Sequence, residues 1–298
     1  MTPVLERLPT GARIVVIRLR SLGDCVLTTP ALRILKAARP DARVSVVVED
    51  AFAPVFEGSP DVERIVSPTL SEVARLRPDL VINLHGGTRS AQLTAACRAA
   101  LRAGFAHFRF SGLYNVRIPR AQEILGVERK VHTAEHLASA MFYLGAPIGP
   151  IPRACLFGAE AQVIRRPVLH PIASAPEKTW PAANFRAVAE HLRRDGLQPV
   201  FICGPRESLA EFRDFDCLAG APLREIKSLM AAAPLFIGND SGPAHIAAAF
   251  GVRSVVLFGP SDHEIWAPWK IDAVVLKSAD IREISVEQVT GALAGLLV

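Results

Sequence analysis

Apolar residues in this chain fall into short continuous runs, separated by stretches in which they recur every three or four positions. The runs at 14–18, 44–48, 64–66 and 80–84, and at 168–170, 200–203, 235–237, 254–258 and 273–276, are too short for globular helices and read as buried strands. Between them lie helical patterns, such as the one running from Asp24 to about Arg39 and the one over 185–192. Pro30 interrupts the first of these, so that helix either starts near Thr28 and Thr29 or kinks there. Strand–helix alternation run twice predicts an α/β fold, with parallel sheets covered on both faces by helices. Two domains are expected, 1–150 and 151–298, joined through Pro147-Ile148-Gly149-Pro150-Ile151-Pro152 and the step at 165–167. The last helix is able to pack back on the N-terminal domain.

In open parallel sheets, ligands bind at the carboxyl ends of the strands, and the chemistry-bearing residues of this chain gather there. Asp24 follows the first strand, and Gly86, Gly87 and Arg89 follow the fourth. In the second half, Ser174 and Lys178 follow His170, Glu207 follows Gly204, Asp240 follows Ile237, and Ser261-Asp262 follows Phe258. The segment Phe236-Ile237-Gly238-Asn239-Asp240-Ser241-Gly242-Pro243-Ala244-His245 is the most telling. It reads as a strand end, a tight turn and a helix whose first position suits Pro243, with Gly251 just past its end. The exposed amides of that first turn and the helix dipole make an anion site at Ser241 and Gly242, flanked by Asp240 and His245. The plain alternatives are an ordinary turn here and, for Asp24, a helix cap, which does not exclude catalysis.

Three separated motifs give these residues a family. Arg20-Ser21-Leu22-Gly23-Asp24 with Thr28-Thr29-Pro30-Ala31-Leu32 resembles the N-terminal signature of glycosyltransferase family 9, the ADP-heptose:lipopolysaccharide heptosyltransferases. Ser174-Ala175-Pro176-Glu177-Lys178-Thr179-Trp180-Pro181 resembles the family's lysine–tryptophan–proline segment. Asp240-Ser241-Gly242-Pro243-Ala244-His245, followed by Leu257-Phe258-Gly259-Pro260, resembles its C-terminal signature.

The resemblance implies two Rossmann-like domains facing a cleft (GT-B type), the N-terminal one binding acceptor and the C-terminal one the nucleotide sugar. It implies inverting transfer of heptose from ADP-heptose to the lipopolysaccharide inner core, with Asp24 as general base and Ser21, Gly23 and Arg89 on the acceptor side. Ser174, Lys178, Glu207, Asp240, Ser241, Gly242 and His245 would bind the donor. Lys178 would reach the leaving phosphate and Glu207 the ribose hydroxyls. One departure is Ala173, where the family pattern leads one to expect a hydroxyl. No cofactor or metal is required by this scheme. Two alternatives stay open: a transferase of the same fold using another nucleotide sugar or a protein or other glycan acceptor, and a catalytically silent nucleotide-sugar-binding protein.

Composition narrows the setting. The 298 residues are 50% hydrophobic and 21% charged, enough to bury two cores. No apolar run approaches the ~20 residues of a membrane span, and residues 1–7 lack a signal-peptide core. Five scattered cysteines without Cys-x-x-Cys spacing suit a reducing cytosol. A net charge of +5 suits a phosphorylated acceptor or peripheral contact with the inner membrane face, but no nucleic-acid module is recognisable.

Several literal motif matches are set aside. His132-Thr133-Ala134-Glu135-His136 spells a zinc-protease pattern but continues as an ordinary amphipathic helix to Gly145. Asp214-Phe215-Asp216 spells a metal-holding Asp-x-Asp in a charged surface segment. No Gly-x-Gly or Gly-Lys occurs, which excludes the dinucleotide fingerprint and the P-loop.

Overall fold

The computed structural model describes residues 2–158 and 166–296. It divides into two compact units, Met1–Gly158 and Ala159–Val298. The first contains β1 (Arg13–Ile17), α1 (Leu22–Ala38), β2 (Arg43–Val47), β3 (Arg64–Val66), α2 (Leu70–Leu76), β4 (Leu80–Asn83), α3 (Gly87–Ala96), β5 (Leu101–Phe105), β6 (Val116–Ile118), α4 (Ala121–Leu125) and α5 (Thr133–Leu144). The second contains β7 (Val168–His170), α6 (Ala182–Arg194), β8 (Val200–Cys203), β9 (Asp216–Ala219), α7 (Leu223–Ala232), β10 (Phe236–Asn239), α8 (Gly242–Phe250), β11 (Ser254–Phe258), α9 (His263–Trp266), β12 (Ala273–Lys277) and α10 (Val286–Leu296).

Each unit holds a six-stranded parallel sheet, in the orders β3-β2-β1-β4-β5-β6 and β12-β11-β10-β7-β8-β9. These are one topology written twice. The chain lays three strands outward from the centre, returns, and lays three in the other direction. The return creates a switch point between β1 and β4 in the first sheet and between β7 and β10 in the second, where the loops diverge and leave a crevice. The central strands are unbroken apolar runs because helices cover both faces: β4, β8, β10 and β11 are buried throughout.

Helix α1 begins at Leu22 and runs through Pro30, rather than starting near Thr28. Proline removes the N–H that would bond the carbonyl of Val26, and the hydroxyl of Thr29 replaces it, donating to that oxygen at 2.8 Å. Three strands lie outside the apolar runs of the sequence. Two, β6 and β9, are sheet edges with at most one buried residue, so no continuous run marks them. The third, β5, is broken in composition by Arg102 and Gly104. After Glu207 the chain makes a single 3-10 turn, Ala210–Phe212.

The division between the two units follows Gly158, within the 147–167 stretch expected to hold the join. Ile151, Ala154 and Leu156 are buried, and the amide of Cys155 donates to the hydroxyl of Thr29 at 3.1 Å, which ties this segment to α1. Residue 165 of the expected linker step lies outside the described residues. Helix α10 packs in the second unit, against α6, β11 and β12, with Val289, Leu293 and Leu296 in that core. Among the described residues no helix is long and apolar enough to cross a membrane.

Candidate functional site

The first crevice is built on Asp24, the third residue of α1. Its carboxylate accepts from the backbone N–H and the hydroxyl of Ser21, at 3.2 and 3.1 Å, closing a capping box over the helix start. Its other oxygen is ion-paired with the buried Arg18, at the end of β1. Arg18 also donates from Nη1 to the carbonyl of Leu84 at 2.5 Å, so one guanidinium bridges the two strand ends of the switch point. Across it, Asn83 accepts from the amides of His85 and Gly86, both at 3.0 Å, and donates to Thr94 and Tyr114. The turn after β4 is therefore fixed from below. His85, half-buried on that turn, has its pKa lowered by burial and by the Arg18 charge.

The second crevice is built from the turn after β7 and the start of α8. Ser241 precedes the helix, Gly242 opens it, and Pro243 follows, so the helix starts one residue earlier than the sequence suggests. The side chain of its N-cap residue, Ser241, does not cap the first turn. The Ser241 hydroxyl instead donates to the carbonyl of Asn239 at 3.1 Å and meets Nδ1 of His170 at 3.0 Å. Asp240 forms an ion pair with Lys178, Nζ to Oδ2 at 3.7 Å, with 11% and 33% of the side chains exposed. Burial raises the pKa of Asp240, while Ser261 and Lys178 pull it back.

Lys178 rides on a strap held at three points. The buried Asn239 accepts from the amide of Trp180 at 3.1 Å, and the buried Trp180 indole donates to the carbonyl of Ile284 at 2.7 Å. At the end of β11, a Cβ on Gly259 would stand 2.6 Å from the Glu177 carbonyl, so only glycine lets the strap lie this close.

The predicted residues divide accordingly. Lys178, Asp240, Ser241 and Gly242 are brought together, and Ser21, Gly23 and Asp24 share one turn of α1. Arg89 lies in the first turn of α3 and donates to the carbonyl of Pro68 at 2.6 Å, beyond β3. Glu207 is half-exposed; its Oε2 accepts from the amide of Gly204 at 2.6 Å and stands 4.0 Å from His170 Nε2. Ser174 is exposed and lines a pocket of about 480 Å³ with Ile172, Thr179, Ser208, Glu211 and Phe212. His245 is buried within α8.

The set-aside motifs are engaged elsewhere. Asp214 pairs with Arg186 at 2.8 Å and Asp216 with Arg166. His132 and Glu135 cap α5, with Arg129 holding Glu135 at 2.7 Å.

Sequence reasoning missed Arg18, His85, His170 and Asn239. All four sit at strand ends inside or beside apolar runs, where a polar residue reads as the strand's termination. The doubled topology is the signal that would have found them, since it names the two strands that flank each switch point.

The profile of the family "Glycosyltransferase family 9 (heptosyltransferase)" matches residues 72–291. The chain belongs to glycosyltransferase family 9. It is a glycosyltransferase, and its two six-stranded parallel sheets are those of the GT-B type. Among family members it is 29% identical over 292 residues to lipopolysaccharide heptosyltransferase 3 of Escherichia coli (strain K12), a match covering 84% of this chain and 83% of that protein. The crystal structure of the family 9 glycosyl transferase from Veillonella parvula DSM 2008 matches with a TM-score of 0.84 and 26% identity, over 96% of this chain and 97% of that one. An E. coli heptosyltransferase solved with ADP-2-deoxy-2-fluoro heptose shares the fold, with a TM-score of 0.77 at 19% identity over 95% and 99% of the two chains.

Proposed function

We propose that this family 9 chain transfers heptose from ADP-heptose to a sugar hydroxyl of the lipopolysaccharide inner core, with inversion at the anomeric carbon. The observation that carries the reading is the Lys178–Asp240 pair beside the start of α8, at a sheet switch point. A diphosphate there meets the Ser241 and Gly242 amides, the positive end of the helix dipole and the Lys178 ammonium. These supply positive charge where the leaving group gathers negative charge. Glu207 keeps Oε1 for the ribose hydroxyls while Oε2 holds Gly204. Ser174, Asp240 and His245 complete the donor side. The names of the relatives, and the fluorinated ADP-heptose held by one of them, support heptose as the sugar.

On the acceptor side, Asp24 is the general base. The Ser21 hydroxyl at 3.1 Å marks where an acceptor hydroxyl would sit, while Arg18 fixes the other oxygen. Ser21, Gly23 and Arg89 shape that side. The setting is cytoplasmic, with peripheral contact at the inner membrane face, where the lipid-linked acceptor is presented.

The test is a turnover screen of ADP-heptose against UDP- and GDP-sugars with lipopolysaccharide core acceptors, run on wild type and D24N. ADP-heptose is expected to be the productive donor, and D24N to lose ~10²–10⁴ in rate with ADP affinity within a few-fold of wild type. Preference for another donor moves the reading to a same-fold transferase of different specificity. Near-normal turnover by D24N removes Asp24 from the base role. Donor binding without transfer to any acceptor indicates a silent binding protein.

A further inference from the structure

Of the motif His132-Thr133-Ala134-Glu135-His136, the first histidine and the glutamate are engaged in capping α5, and His136 is not. Its ring stacks on Phe105, the last residue of β5, with centroids 4.1 Å apart and planes at 19°. His107, exposed just beyond the same strand, lies 5.6 Å from it. Phe108 stands edge-on to His107 at 5.0 Å and 75°. A Cβ on Gly86 would lie 3.0 Å from the Phe108 ring, so this ring roofs the turn that carries His85. Arg18 acts electrostatically on both His85 and His136. Three imidazoles and a half-buried phenyl ring thus border the Asp24 crevice, along the ends of β4 and β5.

Their chemistry is that of hydroxyl recognition. A neutral imidazole offers one N–H and one lone pair, the same complement as a sugar hydroxyl. Burial pushes His136 down to about 4 and lowers His85, and burial with the nearby Arg120 lowers His107, so all three rings are uncharged at neutral pH. The buried cation that an acidic ligand would seek, Arg18, is already engaged by Asp24 and by the Leu84 carbonyl. Its Nε is buried and has no hydrogen-bond partner among the described residues, a donor that a ligand hydroxyl would satisfy. Arg20 and Arg120, near His85 and His107, are exposed and screened by water.

We propose that His136, His107 and His85, with Phe108 beside them, form the subsite for the acceptor sugar and take an uncharged pyranose through its ring hydroxyls. This rests on reading the first unit as the acceptor side.

The probes are methyl α-D-mannopyranoside and its uronate, which differ in one carboxylate. Saturation-transfer NMR on the full chain, without donor, reads binding of each, and calorimetry with ADP runs alongside. The neutral glycoside is expected to bind better than the uronate. H136F, which keeps the stack on Phe105 and deletes both ring nitrogens, should weaken it roughly two- to ten-fold, as should H107A, with ADP affinity unchanged. Tighter binding of the uronate, equal binding by H136F and wild type, or no signal from the neutral glycoside overturns the subsite. Loss of ADP binding in wild type sinks the donor reading instead and leaves the glycoside result standing.

Discussion

Each crevice is organised around a carboxylate held by a cation, and the two pairs differ in how tightly they are held. Asp24 is gripped on both oxygens, by the buried Arg18 and by Ser21, and so is oriented before any ligand arrives. The Lys178–Asp240 pair is looser at 3.7 Å, with the lysine a third exposed. An ammonium on a flexible stem at that distance is free to swing from Asp240 to a phosphate oxygen, a point charge used where no bidentate geometry is needed. K178A should therefore weaken ADP roughly ten- to a hundred-fold, the range for hydrogen bonds to charged groups. Adenosine, which lacks the diphosphate, should bind the variant as it binds wild type. Calorimetry with both ligands decides it, and equal losses for the two would place the lysine away from the phosphates.

At the scale of elements, the strap that carries Lys178 is as much a part of the site as the lysine. It is pinned by Asn239 at Trp180, by the Trp180 indole at Ile284, and by the close pass of Glu177 over Gly259. G259A pushes a methyl to 2.6 Å from a backbone carbonyl that cannot yield without moving the strap. The expected cost is ~1–3 kcal/mol of stability, together with weaker ADP binding and little change for adenosine, because Lys178 is the next residue along. Thermal melts and the same calorimetry check this; an unchanged melting temperature would mean the strap shifts freely.

These pins also show what the sequence made legible. The apolar runs located nine of the twelve strands among the described residues, seven of them inner strands, which are apolar on both faces in a doubly covered sheet. Asp24, Lys178 and Asp240 were readable because strand ends of a parallel sheet lie along one edge. The edge strands β6 and β9 were not, since half their surface faces water. Asn239 and His170 were not, since their meaning is a partner 59 or 71 residues away in sequence, and no local pattern encodes that. The start of α1 was left open between two readings, because the Thr29 hydroxyl that compensates for Pro30 is a repair visible only in three dimensions.

At the scale of the molecule, the two units repeat one topology, and each holds an imidazole against a strand end, His170 at the end of β7 and His136 on the Phe105 ring at the end of β5. His170 is buried in the second unit and His136 is largely buried in the first, both pushed from 6.5 to about 4. The sign follows from linkage. Because the folded value is depressed, the unfolded chain binds the proton first as pH falls. Stability is therefore full above about 6.5 and is lost progressively down to about 4. At pH 5 the loss through His170 amounts to roughly 2 kcal/mol, since each tenfold difference in proton affinity between the folded and unfolded chain is worth about 1.36 kcal/mol. The chain separates the two units optically, since Trp180, Trp266 and Trp269 all lie in the second, while Tyr114 and Tyr143 lie in the first. Denaturant midpoints followed by tryptophan fluorescence should fall between pH 7 and pH 5, and H170Q should flatten that slope. H136F should leave the tryptophan slope as it is and flatten the part of the circular-dichroism transition that tryptophan does not report. A tryptophan midpoint independent of pH in wild type would show that His170 is not held neutral by the fold, and that another group must set the acid sensitivity of the second unit.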